Sequence, residues 1–147
     1  MFEDKTTIKD CELFHLPRVF GERKGNLTYI YGQKHVPFEI KRIYYLYDVP
    51  GGAERAGHAH RELQQLLLSV SGSFDILLDD GIQKKKVSLN RPYSGLYIPP
   101  YIWRKLDNFS SGSVCLNLAS LLFDESDYIR DYDQFIDIKS SQLKWLH

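Results

Sequence analysis

Hydrophobic and polar positions alternate through much of the middle of the chain, the period of a strand with one buried face. Residues 27–31 (Leu-Thr-Tyr-Ile-Tyr) combine β-branched and aromatic side chains, and 38–49 reads as one longer strand. Pro50-Gly51-Gly52 breaks that run. Two more strands, 66–70 and 74–78, meet at Ser71-Gly72-Ser73. Asp79-Asp80-Gly81 predicts a hairpin turn, because such turns need a residue comfortable at positive φ. Alternation continues over 82–89, a short strand covers 95–98 ahead of Pro99-Pro100, and another covers 113–121. The pattern then changes. Asp124, Glu125 and Asp127 put acids where a helix N-terminus favours them, and Tyr128, Ile129, Tyr132, Phe135 and Ile136 recur at three- and four-residue spacing. Many short strands followed by one helical segment predict an all-β sandwich or barrel. With no repeat or linker in view, a single domain is expected over 1–147.

Composition narrows the function classes. A chain of 147 residues is the size of one domain and is long enough to bury a sizeable core. Its 43% hydrophobic and 26% charged residues fit a globular protein and argue against disorder. Nineteen basic and nineteen acidic residues cancel, so a whole-surface grip on nucleic acid or an anionic membrane is not expected; a local anion site is compatible with this balance. The longest apolar runs, Leu66-Leu67-Leu68 and Leu121-Leu122-Phe123, fall far short of the ~20 residues of a membrane span. The first residues carry no signal pattern, and Cys11 and Cys115 form no disulfide framework or C-x-x-C motif. A cytoplasmic protein is expected.

The chemistry-bearing stretch is Gly52-Ala-Glu-Arg-Ala-Gly-His58-Ala-His60. Two histidines at i and i+2 of a strand share a face. Such a pair can hold a metal with ligands from other strands, place two imidazoles against one substrate, or simply be solvated at a strand edge. Arg42, Arg55 and Arg104 are candidates to line or rim a cavity, since the guanidinium fork clamps phosphate through paired charge-assisted hydrogen bonds. Tyr44 and Tyr97 lie on predicted strands and could offer a ring face or hydroxyl to a sugar nucleotide, or pack in the core. Lys84-Lys85-Lys86 reads as a solvated strand face.

The spacing Gly52-x5-His58-x-His60-x4-Gln65-x6-Gly72, followed by Pro99-x-Tyr101-x2-Arg104-x3-Asn108, resembles the two cupin motifs. The sequence departs from the metal-binding cupins at two positions: Gln65 stands for a glutamate ligand and Arg104 for a histidine ligand. An arginine cannot ligate and repels a divalent cation, so no metal and no cofactor are expected. Lys41-Arg42-Ile43-Tyr44-Tyr45, Gly57-His58-Ala59-His60, Leu78-Asp79-Asp80-Gly81 and the run from Glu125 through Tyr128 and Arg130 to Phe135 together resemble the bacterial nucleotide-sugar 3,4-ketoisomerases, cupins that act on dTDP-4-keto-6-deoxyglucose.

That resemblance implies a jelly-roll antiparallel β-barrel and a homodimer with exchanged N-terminal β-structure. It implies a dTDP-linked substrate, no nucleic-acid or membrane partner, and a place on the route to 3-amino-3,6-dideoxyhexoses. His58 and His60 are the implied catalytic pair. His58 would take the carbon proton and His60 would shuttle the oxygen-bound one, with one ring neutral and the other protonated. Arg42, Tyr44, Arg55, Gln65, Tyr97 and Arg104 are the expected substrate-binding set. Of these, Arg55 and Arg42 would anchor the diphosphate and Gln65 would bond the sugar or orient a histidine. The competing readings are a related nucleotide-sugar epimerase, which returns the proton to the carbon it came from, and a non-catalytic sugar-nucleotide-binding cupin.

Overall fold

The computed structural model describes residues 6–144. Twelve strands are present among them: β1 Glu12–His15, β2 Arg18–Gly21, β3 Gly25–Thr28, β4 Arg42–Leu46, β5 Arg55–His60, β6 Gln65–Ser71, β7 Phe74–Asp79, β8 Lys84–Leu89, β9 Ser94–Ile98, β10 Trp103–Asp107, β11 Val114–Ala119 and β12 Tyr128–Ile129. One α-helix, α1 Tyr132–Lys144, follows. Ten of the strands form two antiparallel five-stranded sheets, ordered β1-β9-β6-β11-β4 and β12-β5-β10-β7-β8; β2 and β3 form a separate ribbon. This is the all-β jelly-roll barrel with a short C-terminal helix that the sequence predicts.

The two sheets face each other over a core of Leu67, Phe74, Ile76, Leu78, Leu89, Leu96, Ile98, Ile102 and Phe109, each almost wholly buried. The strands that supply it keep strict alternation, so Phe74, Ile76 and Leu78 point inward from β7. Strand β6 is different, being buried on both faces. Leu67 faces the inter-sheet core, while Leu66 and Leu68 pack outward under Leu16, Val36 and Phe38. This accounts for the unbroken Leu66-Leu67-Leu68 run, since a strand covered on both sides has no polar face to show.

Several predicted elements shift. The expected strand over 38–49 shrinks to β4, preceded by Pro37 and a buried Phe38 and ended at Asp48, whose φ is +55°. The 27–31 strand ends at Thr28, beyond which Tyr29, Tyr31 and His35 pack as an aromatic cluster. The hairpin at Asp79-Asp80-Gly81 joins β7 to β8 as predicted, with Gly81 at φ +92° and the Asp80 carboxylate accepting from the Ile82 and Gln83 amides. The stretch around Ser71-Gly72-Ser73 instead carries the chain from one sheet to the other, because β6 and β7 do not pair.

The C-terminal reading needs the largest correction. The apolar spacing predicted a helix that includes Tyr128 and Ile129, but these two residues pair as a strand with His60 and Ala59 of β5. Two acidic caps stand in tandem. The Asp124 side chain caps a short 3-10 turn, Glu125–Asp127, and the Asp131 side chain accepts from the Asp133 and Gln134 amides to start α1. From α1, Phe135 then closes over the outer face of β5 and β12, against Ala59 and Ile129. Trp103 packs beside Phe135, and Gly57 admits its indole: a Cβ at that position would lie 2.5 Å from Trp103 Nε1.

Candidate active site

One end of the barrel interior is not filled by apolar side chains. A cavity of about 510 Å3 opens there. Its wall draws Tyr44 from β4, His58 from β5, Gln65 from β6, Arg104 from β10, Asn117 from β11 and Tyr128 from β12. The first five face inward by strand alternation, and register does the rest. Arg104 is the direct antiparallel partner of His58, Asn117 of Tyr44, and Tyr128 of His60. Arg55 reaches the same wall through a register shift. The β5–β10 ladder pairs Arg104 with His58 but Leu106 with Arg55, so β5 spends three residues where β10 spends two. Simple alternation would turn Arg55 to the opposite face from His58; the irregularity brings it back.

The floor of the cavity is a buried polar network. Arg104 is 1% exposed and has no carboxylate within salt-bridge distance among the described residues. Its Nε and Nη2 donate to the Ile102 carbonyl at 3.1 and 3.0 Å, and Nη1 donates to Gln65 Oε1 at 2.6 Å. With its oxygen committed to arginine, the Gln65 amide nitrogen donates to Tyr44 Oη at 2.5 Å and Asn117 Oδ1 at 3.0 Å. Gln65 therefore orients an arginine where a histidine or sugar partner was expected. Burial lowers the Arg104 pKa to about 10, which leaves it cationic at neutral pH. Burial likewise raises that of Tyr44, which stays a neutral phenol.

The histidine pair splits between two environments. His58 lines the cavity, whereas His60 is fully buried beside it. Their rings meet edge-on, centroids 4.8 Å apart, and Tyr128 packs 4.4 Å from His60 and 5.1 Å from His58. His60 Nδ1 lies 3.0 Å from Asp127 Oδ2. Burial pushes the His60 pKa down to about 4, against the opposing pull of Asp127; Arg104 and Arg42 push the same way as burial. His60 is therefore a neutral imidazole at neutral pH. The expectation that one ring of the pair rests protonated is not met at this position.

Most of the expected set converges. Tyr44, Arg55, His58, Gln65 and Arg104 share the cavity wall. Arg42 sits a layer back, its guanidinium carbon 5.0 Å from the Tyr44 ring centroid and 5.8 Å from that of Phe123. Tyr97 lies elsewhere. It pairs in register with Leu66, on the outer face of its sheet, where its ring stacks on Phe38 and its hydroxyl donates to Gln64 Oε1 at 2.7 Å. In β9 the inward positions belong to Leu96 and Ile98, so strand alternation alone excludes Tyr97 from the cavity.

Four polar lining residues escaped the sequence reading, Glu54, Asn117, Tyr128 and Arg130, beside the apolar Leu46, Leu67 and Leu106. Arg130 stands at the rim. Its guanidinium forms a bidentate pair with Glu125 at 2.6 and 2.9 Å and lies 4.1 Å from the Tyr128 ring centroid. The run from Glu125 to Phe135 carried family resemblance, but its helical spacing hid the strand that delivers Tyr128.

The chain matches the FdtA family, described as WxcM-like, C-terminal, over residues 9–140. It is 43% identical over 114 residues to the TDP-4-oxo-6-deoxy-alpha-D-glucose-3,4-oxoisomerase of Aneurinibacillus thermoaerophilus, covering 78% of this chain and 82% of that one. The structure of the WlaRB TDP-quinovose 3,4-ketoisomerase from Campylobacter jejuni superposes with a TM-score of 0.84 at 45% identity, over 88% of this chain and 99% of the other. That of a histidine-to-asparagine mutant of the QdtA 3,4-ketoisomerase from Thermoanaerobacterium thermosaccharolyticum, in complex with TDP-4-keto-6-deoxyglucose, gives 0.89 at 38% identity, over 92% and 98%. A barrel whose polar end gathers a His-x-His strand, a buried arginine and a tyrosine wall, matched along nearly its whole length by such enzymes, belongs to the FdtA family of cupin-fold nucleotide-sugar 3,4-ketoisomerases.

Proposed function

We propose that this chain moves the ketone of dTDP-4-keto-6-deoxyglucose from C4 to C3 by histidine-mediated proton transfer through an enediol. The observation that carries the reading is the cavity itself: His58 on its wall, His60 edge-on beside it, and a buried guanidinium at its floor with no carboxylate partner among the described residues. The carbonyl at C4 acidifies the C3 proton. His58 removes it, the C–H electron pair becomes the C3–C4 double bond, and the carbonyl pair moves onto O4. The hydroxyl proton passes from O3 to O4 through His60, O3 closes to the new ketone, and His58, whose captured proton exchanges with solvent, protonates C4. No oxidant is needed, because carbon and oxygen protons only change places.

The cation of Arg104 favours the negative charge that develops on the sugar oxygens, and its fixed hydrogen bonds mean that it need not reorganise to do so. A cation already occupying this floor also supports a metal-independent reaction. Arg55 and Arg130 at the mouth are suited to the diphosphate, with Arg42 behind them. Binding energy from that remote group holds the sugar over the histidines.

The reading extends to a homodimer. Val19, Phe20 and Leu27 of the β2–β3 ribbon and Ile43 and Tyr45 on the outer face of β4 are each more than half exposed, an apolar surface that a second copy with exchanged N-terminal strands would cover. It extends also to a cytoplasmic enzyme on the route to 3-amino-3,6-dideoxyhexoses; no helix among the described residues is long and apolar enough to cross a membrane. Incubation with dTDP-4-keto-6-deoxyglucose in D2O, followed by proton NMR, tests the activity. A C3 ketone with deuterium at C4 is expected. Inverted stereocentres with the ketone still at C4 would point to an epimerase, and no carbon-bound deuterium at all would point to a binding protein.

A further inference from the structure

The mechanism above gives no work to Asp127, a carboxylate 7% exposed that meets the hidden side of His60. The carboxylate is locked from several directions. Its Oδ1 accepts the Glu62 amide at 2.7 Å, and its Oδ2 accepts the Leu63 amide at 3.2 Å and lies 3.0 Å from His60 Nδ1. The Arg61 amide donates to the Asp127 carbonyl at 2.9 Å, and the Arg61 guanidinium donates to the carbonyls of Ser126 and Tyr128 at 3.3 and 2.9 Å. The chain after β5 and the chain entering β12 are thus stitched together around one side chain. Those amide bonds and the histidine hold the Asp127 carboxyl below its usual range despite burial, so it is ionised.

An ionised carboxylate only accepts hydrogen bonds. The proton between Asp127 and His60 therefore belongs to His60 Nδ1, and because the ring is neutral, Nε2 carries a bare lone pair. That Nε2 is buried and makes no hydrogen bond among the described residues. A ring in this form has no proton to give at the start of a turnover.

We infer that Asp127 is a positioning residue that holds His60 in its Nδ1–H form, so that His60 begins each turnover as an acceptor and takes the O3 hydroxyl proton, directly or across one water, before it delivers a proton to O4. This rests on the ketoisomerase reading. Within it, the order of events follows. His58 takes the C3 proton and the C4 carbonyl pair moves to O4. The O3–H bond then breaks toward His60 Nε2, and Asp127 stabilises the imidazolium that forms. The imidazolium returns a proton to O4, O3 closes to the carbonyl, and C4 takes its proton from His58. Every proton and electron pair is accounted for, and His60 ends as it began.

Asparagine at this position removes the Nδ1–H preference when its oxygen keeps the shorter of the two backbone bonds, that from the Glu62 amide at 2.7 Å against 3.2 Å from Leu63. Asp127 supplies two acceptor oxygens to three donors; an asparagine supplies one oxygen and one NH2. With its oxygen on the Glu62 amide, its NH2 faces His60 Nδ1 as a donor and drives the ring to the Nε2–H form. The C3 proton can still leave, but the oxygen proton cannot move, so the enediolate takes its proton back at C3. The test compares Asp127→Asn with the unaltered enzyme in D2O, following ketone migration and deuterium exchange at C3 of recovered substrate. Migration is expected to fall roughly 10²–10⁴-fold while C3 exchange falls less than about tenfold and KM changes less than about threefold. A parallel fall of migration and exchange, or no fall in either, overturns the inference.

A second measurement needs no variant and no substrate. In the 15N-histidine-labelled unaltered protein, NMR between pH 6 and 8 is expected to show His60 with a protonated Nδ1 and an unprotonated Nε2. An Nε2–H or doubly protonated ring in that range overturns the inference, and this result decides the matter if Asp127→Asn does not fold. Failure of the unaltered enzyme to form a C3 ketone would instead sink the ketoisomerase reading, and the tautomer measurement would still judge Asp127.

Discussion

The two ends of the barrel interior are built by the same strands and differ in almost every physical respect. At one end Phe74, Ile76, Leu89 and Phe109 fill the space between the sheets with no side-chain polar atom to satisfy. At the other, β6 turns in Gln65 where it later turns in Leu67, and β10 turns in Arg104 where it later turns in Leu106. A single step of two residues along either strand passes from a polar lining residue to a leucine shared by the cavity wall and the packed core. The apolar end stabilises through burial, at roughly 25 cal/mol per Å2 removed from water. The polar end keeps a guanidinium and a histidine out of water, at a cost in desolvation, for the chemistry proposed above. One end holds the scaffold rigid so that the other can keep unfavourable groups in place.

That contrast can be broken experimentally at either end. The largest effect is expected from His58→Asn, which removes the proposed carbon base. Turnover should fall about 10²–10⁴-fold with the melting temperature unchanged, as read by steady-state kinetics beside calorimetry. An active His58→Asn enzyme would move the carbon base elsewhere. At the apolar end, Ile76→Ala should destabilise the fold by about 2–5 kcal/mol in urea unfolding while kcat of the surviving native enzyme holds, because Ile76 is fully buried and does not line the cavity. A change in kcat there would show that the two ends are not separable.

The buried His60 links the two ends through pH. Its pKa is near 4 in the folded chain against 6.5 for the free side chain, so between those values the unfolded chain binds the extra proton. Its contribution to stability is complete above about pH 6.5 and is lost as pH falls toward 4, on the order of 3 kcal/mol in total. Denaturation midpoints measured from pH 7 to 4 should show this fall, and His60→Gln should flatten it. The smallest effect is expected at the rim. Arg55→Ala should raise KM about tenfold or more with a lesser change in kcat, since on the proposed reading this exposed cation grips a remote diphosphate and contributes binding without touching the reacting carbons. The reverse split would remove Arg55 from the anchoring role.

The legible part of the site was the part written as local pattern. His58 and His60 announce a shared strand face, and Gln65 and Arg104 fall at motif positions that place them beside that face. Less legible were residues whose face depends on something other than alternation. Arg55 reaches the cavity only through a register irregularity. Tyr128 was hidden altogether, because Tyr128, Ile129, Tyr132, Phe135 and Ile136 have a helix's spacing although the first two belong to a strand. A two-residue strand has no period of its own; its pairing with His60 and Ala59 is what defines it.

By itself the sequence determined the fold class, the histidine strand and the presence of an arginine where a metal ligand could have stood, since alternation, turn residues and motif spacing are local properties that each short segment carries with it. Only the tertiary structure decided which histidine is hidden, that Asp127 meets it, that Gln65 serves Arg104, and which residues complete the wall. Those facts depend on strand register and on burial, and both are set by partners 30 to 70 residues away along the chain, such as Gln65 for Arg104 and Asp127 for His60.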